Sequence, residues 1–211
     1  MMRLNTKIRY ICNEGTISKP YLAGLLLLLA MIISPNYSKA ATLDSEHIAS
    51  AEKAIQNIST LQANFTQISS DGSYAVGTLY FRRPFQMRLE YNLEEPYNLI
   101  TTRKWLIVDE PANKKASNYP ISETPFAPLL KDTVSLIGDD FSTTSRMSDG
   151  LVEINLRKDA GENPGELILL FEPNDMNLRG WIVIDTLGVK TKVTLQNEIY
   201  GRELANKLFG K

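Results

Sequence analysis

Few side chains in this chain of 211 residues are able to do covalent or metal chemistry. It has one cysteine, Cys12, and one histidine, His47. That removes zinc sites, a disulfide framework and any Cys–His nucleophile pair. Acidic neighbours occur at Glu94-Glu95, Asp109-Glu110 and Asp139-Asp140. A carboxylate dyad would suit glycoside hydrolysis. Each of these pairs adjoins a turn or loop signal, however, and neighbouring strand residues point to opposite faces. They read as solvated loop acids. His47 sits early in a helical pattern with no acid and serine set around it, and reads as a surface or capping residue. The sequence has no nucleophile elbow, phosphate loop, dinucleotide fingerprint or paired-His metalloprotease motif. The expectation is no enzyme, no metal and no cofactor.

What remains is a folded domain behind an export signal. Net charge is −1, and hydrophobic residues make 43%. That balance argues against disorder and against nucleic acid as a partner. Arg3, Lys7, Arg9 and Lys19 face a single acid, Glu14, ahead of the uncharged run Tyr21 to Ile33. Ser34, Pro35 and Asn36 break the run, and Ser38-Lys39-Ala40 offers small residues where a signal peptidase reads. This order predicts a cleavable signal peptide over residues 1–40, cut after Ala40 or Ala41. The run is shorter than a spanning helix needs. Cys12 precedes the apolar run, so the chain does not read as a lipoprotein. Residues 41–211 hold no cysteine, so this exported domain must rely on its core.

The elements behind the signal are one helix and then strands. Ile48, Ala51, Ile55 and Ile58 recur at helical spacing, with Asp44 or Ser45 placed to cap and Glu46, Glu52, Lys53 and Gln56 on other sides. From Leu61 the period becomes two, and turn signals divide the chain into about eleven strands. Short turns make neighbours antiparallel, so the reading is a meander in one domain. Two interruptions are predicted helical: Glu123 to Leu130, with Thr124 capping and Pro125 in the first turn, and Glu203 to Phe209. Trp105 to Val108, Leu167 to Phe171 and Trp181 to Ile184 are apolar on both faces and need cover on each side. A packed core and a ligand hollow both remain open on the residues alone, the core being the commoner outcome.

A series of segments narrows this. Leu61-Gln62-Ala63-Asn64-Phe65-Thr66-Gln67, Gly77 to Pro84, Thr124 to Leu130, Leu178 to Asp185 and Gly188 to Leu195 follow one another in order. Together they resemble the outer-membrane lipoprotein carrier (LolA) family over essentially the whole of 41–211. Thr102-Arg103-Lys104 departs from the Asp-Gly turn usual before the Trp strand. The resemblance implies a mainly β fold with a few helices, an unclosed antiparallel β-barrel with a helical lid over an apolar cavity. It implies a monomeric periplasmic chaperone. Such a protein takes triacylated lipoproteins from an inner-membrane lipoprotein-releasing ABC transporter to the outer membrane, where a receptor accepts them if one is present. A sensor or adaptor of the same fold, binding a protein or another lipid, is the alternative.

Strand parity then supplies candidate residues. Leu61, Phe65, Leu79, Phe81, Met87, Leu89 and Tyr91 fall on the cavity side. Ile55 and Ile58 from the first helix, with Phe126, Leu129 and Leu130 from the second, fall on the lid side. Arg83 shares the parity of Leu79 and Phe81, so it projects to the apolar face. The resemblance implies that Arg83 latches the lid, against the plainer reading of a buried ion pair. Trp105 and Trp181 read equally as core.

Overall fold

The computed structural model describes residues 37–139, 141–158 and 165–210, with side chains from Asp44 onward. The expected signal segment lies outside these residues as far as Asn36, and Asp140 lies outside them too. Helix α1 (Tyr37–Asn57) is followed by β1 (Thr60–Ser69), β2 (Tyr74–Arg82), β3 (Gln86–Tyr91), β4 (Asn98–Thr101), β5 (Trp105–Glu110) and β6 (Lys115–Pro120). Then come the single-turn helix α2 (Ala127–Leu130), β7 (Ser142–Ser148), β8 (Leu151–Lys158), β9 (Gly165–Phe171), β10 (Leu178–Ile184) and β11 (Lys190–Tyr200). Alternating burial along β1 and β3 is the signature of a sheet with one face on a core.

All eleven strands form one antiparallel sheet in the order β6-β5-β4-β3-β2-β1-β11-β10-β9-β8-β7. β6 and β7 are its edges and do not pair with one another, so the barrel is unclosed. The chain starts at the centre, meanders out to β6, and crosses through residues 121–141 to the opposite edge. It then meanders back until β11 pairs with β1. The segment that carries α2 is therefore the connection between the two free edges.

The concave face packs on α1 through Ile48, Ala51 and Ile55, which are buried in one cluster with Leu61, Phe65, Leu79, Leu169 and Trp181. β9 is covered on both faces, as expected, with Leu167 to Phe171 all buried. β5 is not. Trp105 is 44% exposed because β5 lies one strand from the edge. The β4–β5 turn is closed by Thr102, whose hydroxyl accepts from the Trp105 amide at 3.0 Å in place of an Asp-Gly turn.

Three local expectations need correction. α1 is helical from Tyr37 onward, so Asp44 and Ser45 lie inside it rather than at its N-terminus. The Asp44 carboxylate instead accepts the main-chain N–H of Ser145 on β7, and His47 Nδ1 lies 3.3 Å from the Ser145 hydroxyl. α2 follows a 3-10 turn at Ile121–Glu123 and places Pro128, not Pro125, in its first turn. A proline lacks the N–H that a first helical turn leaves unused. Thr124 donates back to Ile121 O at 2.8 Å rather than capping. The closing helix is a 3-10 turn, Asn206–Phe209.

That last turn lies on the convex side. Arg82 donates to Leu204 O at 2.8 Å and stands over the Phe209 ring, and Arg88 donates to Leu208 O at 3.2 Å. Arg82 and Arg83 are adjacent, so strand alternation sends one guanidinium outward and the next inward.

Candidate functional site

Arg83 follows the end of β2 and points into the hollow. Its Nη2 donates to Ile55 O at 2.9 Å and its Nε to Ile58 O at 3.4 Å, both at the end of α1. Its Nη1 donates to Leu129 O at 3.0 Å and to Lys131 O, at the end of α2. The last carbonyls of a helix have no partner within it and attract cations. A guanidinium offers five N–H donors in a fixed fork, and here one fork serves two helix ends. Burial pulls the Arg83 pKa below the ordinary arginine range, and the nearby Asp132 carboxylate works against that. The Phe81 ring lies under the charge, 5.3 Å from centroid to Cζ. A main-chain bond beside it, Phe85 N–H to Leu130 O at 2.7 Å, fixes the same corner.

Beneath this corner is an apolar cavity of about 50 Å³. It is lined by Ile55, Ile58, Leu61, Leu79, Phe81, Met87, Phe126, Leu129 and Leu130 from the expected set, and by Leu169, Leu178 and Trp181. Strand parity and the helical stripe thus converge on one space. Phe65, Leu89 and Tyr91 do not line it. They are buried farther along the same core, where the Phe65 and Tyr91 rings meet edge-on at 5.1 Å and Tyr91 stacks on Tyr97 at 4.2 Å. The Tyr91 hydroxyl donates to Gln67 Oε1 at 2.8 Å, and burial raises its pKa above the usual phenol range.

Gly77 explains why the two rings sit there. A Cβ at this position would lie 2.0 Å from Glu90 O and 2.6 Å from the Phe65 ring. The ring of Phe65 occupies the space that a side chain would need, directly across the β1–β2 pair.

Sequence reasoning missed the wall from the second half of the chain. Leu169 and Trp181 lie in strands apolar on both faces, where alternation cannot say which side chain turns inward. It also missed two polar staples. Glu52 Oε1 accepts from the Leu136 amide and Gln56 Oε1 from the Val134 amide, both at 2.7 Å, so the polar side of α1 holds the crossover. The spacing of four puts Glu52 and Gln56 on one helix face, but nothing in the sequence names their partners.

Among the described residues the acidic neighbours form no cluster with the histidine. Glu94, Glu95 and Asp139 are exposed, and no group of three or more potential metal ligands occurs among the described residues.

An unclosed antiparallel barrel with an apolar cavity under a helical cover has the form of a binding and carrying protein. The chain belongs to the family described as outer membrane lipoprotein carrier protein LolA, whose pattern matches residues 56–210. It is 25% identical over 167 residues to the outer-membrane lipoprotein carrier protein of Pseudomonas fluorescens (strain Pf0-1), covering 72% of this chain and 78% of that one. Its identity to the protein of the same name from Azotobacter vinelandii is 25% over 183 residues, covering 80% and 83%. Among solved structures it is similar to a LolA superfamily protein from Nitrosomonas europaea, with TM-score 0.47, 10% identity and coverage of 80% and 97%. A chain of the MucA/MucB complex from Pseudomonas aeruginosa gives TM-score 0.41, 10% identity and coverage of 79% and 60%.

Proposed function

We propose that this protein is a periplasmic carrier, exported by cleavage near Ala40, that holds the acyl chains of lipoproteins between the two membranes. In this reading it accepts triacylated lipoproteins from an inner-membrane ABC transporter and surrenders them at the outer membrane. The observation that carries it is the four-carbonyl grip of Arg83 on both helix ends.

The energetics favour such a device. Burying acyl chain yields about 0.8 kcal/mol per methylene, so one long chain exceeds about 10 kcal/mol. A carrier that kept all of this would never release its cargo. Opening the lid breaks charge-assisted hydrogen bonds worth roughly 1.5–3 kcal/mol each, which offsets part of the gain and returns when the cargo leaves. A cavity of about 50 Å³ has room for a few water molecules at most, so in this reading an acyl chain enters only when the lid moves away.

The test is release of lipoprotein from spheroplasts by the purified protein. Lipoprotein in the supernatant, bound in a one-to-one complex, supports the carrier. A protein that releases none and instead binds a polypeptide free of acyl chains overturns it in favour of the adaptor.

A further inference from the structure

Beside the inner cavity lies a larger groove of about 370 Å³, open to solvent. Its walls come from opposite wings of the sheet: Leu106 and Tyr119 on β5 and β6, and Val183 and Ile184 on β10. Phe126, on the crossover, lines both the groove and the inner cavity. One half-buried ring is therefore a common wall. On the other side of the same crossover a further hollow of about 180 Å³ reaches Pro125, Pro128 and Leu156. The stretch carrying Phe126 thus stands between two unfilled spaces and has room to shift.

Volume decides what the groove is for. A methylene takes roughly the space of a water molecule, so a sixteen-carbon chain needs room for about sixteen of them. The inner cavity of about 50 Å³ cannot hold that. The groove, opened onto the inner cavity by displacing one ring, is of the right order. An apolar floor continuous with an apolar interior gives the chain a path that never returns it to water.

We propose that this groove is the mouth through which an acyl chain passes and in which its head-proximal part remains, with Phe126 as the gate to the inner cavity. The inference rests on the carrier reading and adds a route to it. Leu106 and Val183 line the path, and both pack on the core without being part of its buried cluster. Glu123, Glu166 and Asp185 stand around the mouth against Lys158, with Arg157 paired to Glu166, so the rim disfavours an anionic head.

The experiment follows uptake of an uncharged fluorescent monoacylglycerol by stopped flow. Leu106→Trp narrows the groove and should slow uptake about tenfold, whereas Phe126→Ala removes the gate and should speed it by a similar factor. Val183→Phe, on the opposite wall, is the second narrowing variant should Leu106→Trp not fold. Equal uptake rates in the wild type, a folded groove variant and Phe126→Ala overturn the route while leaving the carrier intact. No probe binding by the wild type overturns the carrier reading and the route together.

Discussion

The ring of Phe126 meets Trp181 edge-on, with centroids 5.7 Å apart and planes at 82°. This contact joins the crossover to β10, and both rings line the cavity. Edge-to-face aromatic pairs contribute about 0.5–1.5 kcal/mol beyond their area. A charge-assisted hydrogen bond contributes roughly 1.5–3 kcal/mol, and Arg83 makes several. The closed state therefore depends first on the arginine and only second on the ring.

Replacing Arg83 by leucine should leave loading intact and impair delivery. The substitution removes the bonds that favour the empty form and adds apolar surface to the hollow, so both effects favour the loaded form. Losing even one such bond shifts the balance about tenfold or more. In a two-step assay, release from spheroplasts should persist while transfer to outer-membrane vesicles slows. Amide exchange at Leu129 and Leu130 should rise in the empty variant. Failure of a folded Arg83→Leu protein to load would show that the residue docks or supports the structure and does not latch.

Phe126→Asp should weaken acyl binding far more than Glu94→Ala or Asp139→Ala. An unpaired carboxylate placed against an apolar chain costs several kcal/mol, whereas Glu94 and Asp139 are already in water. Circular dichroism establishes that each variant is folded, and titration with a fluorescent acyl probe gives the affinities. Equal affinities would place the acyl site away from Phe126.

Much of this arrangement was legible in the sequence. Residues at period two through Leu61, Leu79 and Met87 marked one face of a sheet, and the stripe through Ile55 marked the helix that covers it. These two periodicities brought residues distant in sequence to one cavity. The remainder was hidden for physical reasons. β9 is buried on both faces, so its inward set could not be read from alternation. Glu52 and Gln56 look like solvated helix residues until the crossover amides of Leu136 and Val134 come to meet them. Asp44 looks like a cap, but the helix continues past it and its carboxylate is used by β7. In α2, two prolines three residues apart left the starting turn ambiguous, and the structure selects Pro128.

Gly77→Ala should destabilise the fold without touching the cavity lining. The added methyl meets Glu90 O and the Phe65 ring well inside contact distance, and such overpacking costs about 1–3 kcal/mol. For a domain of this size each kcal/mol lowers Tm by roughly 2–4 °C. Thermal melting followed by circular dichroism reads the effect directly. An unchanged Tm would mean that the β1–β2 pair is looser than the Phe65–Gly77 packing implies.

Stability should also fall in alkali, in part through Tyr91. Burial raises its pKa in the fold, while an unfolded tyrosine ionises near pH 10. Above about pH 10 the unfolded chain gives up a proton that the folded chain retains, so stability is complete below that pH and declines above it. Urea midpoints near pH 8 and near pH 11 should differ less in Tyr91→Phe than in the wild type. Equal declines would assign the alkaline loss to other tyrosines whose pKa values are also raised, such as Tyr80 and Tyr97.

The two tryptophans allow the central claim, acyl chains under the lid, to be tested in one titration. Trp181 lines the cavity and is 5% exposed, whereas Trp105 is 44% exposed, on the opposite face of the sheet from Leu106. A brominated acyl lipopeptide quenches only an indole it touches. Saturable quenching is expected in Trp105→Phe, which keeps Trp181, and none in Trp181→Phe. Quenching confined to Trp105, or absent from both proteins, would contradict the account.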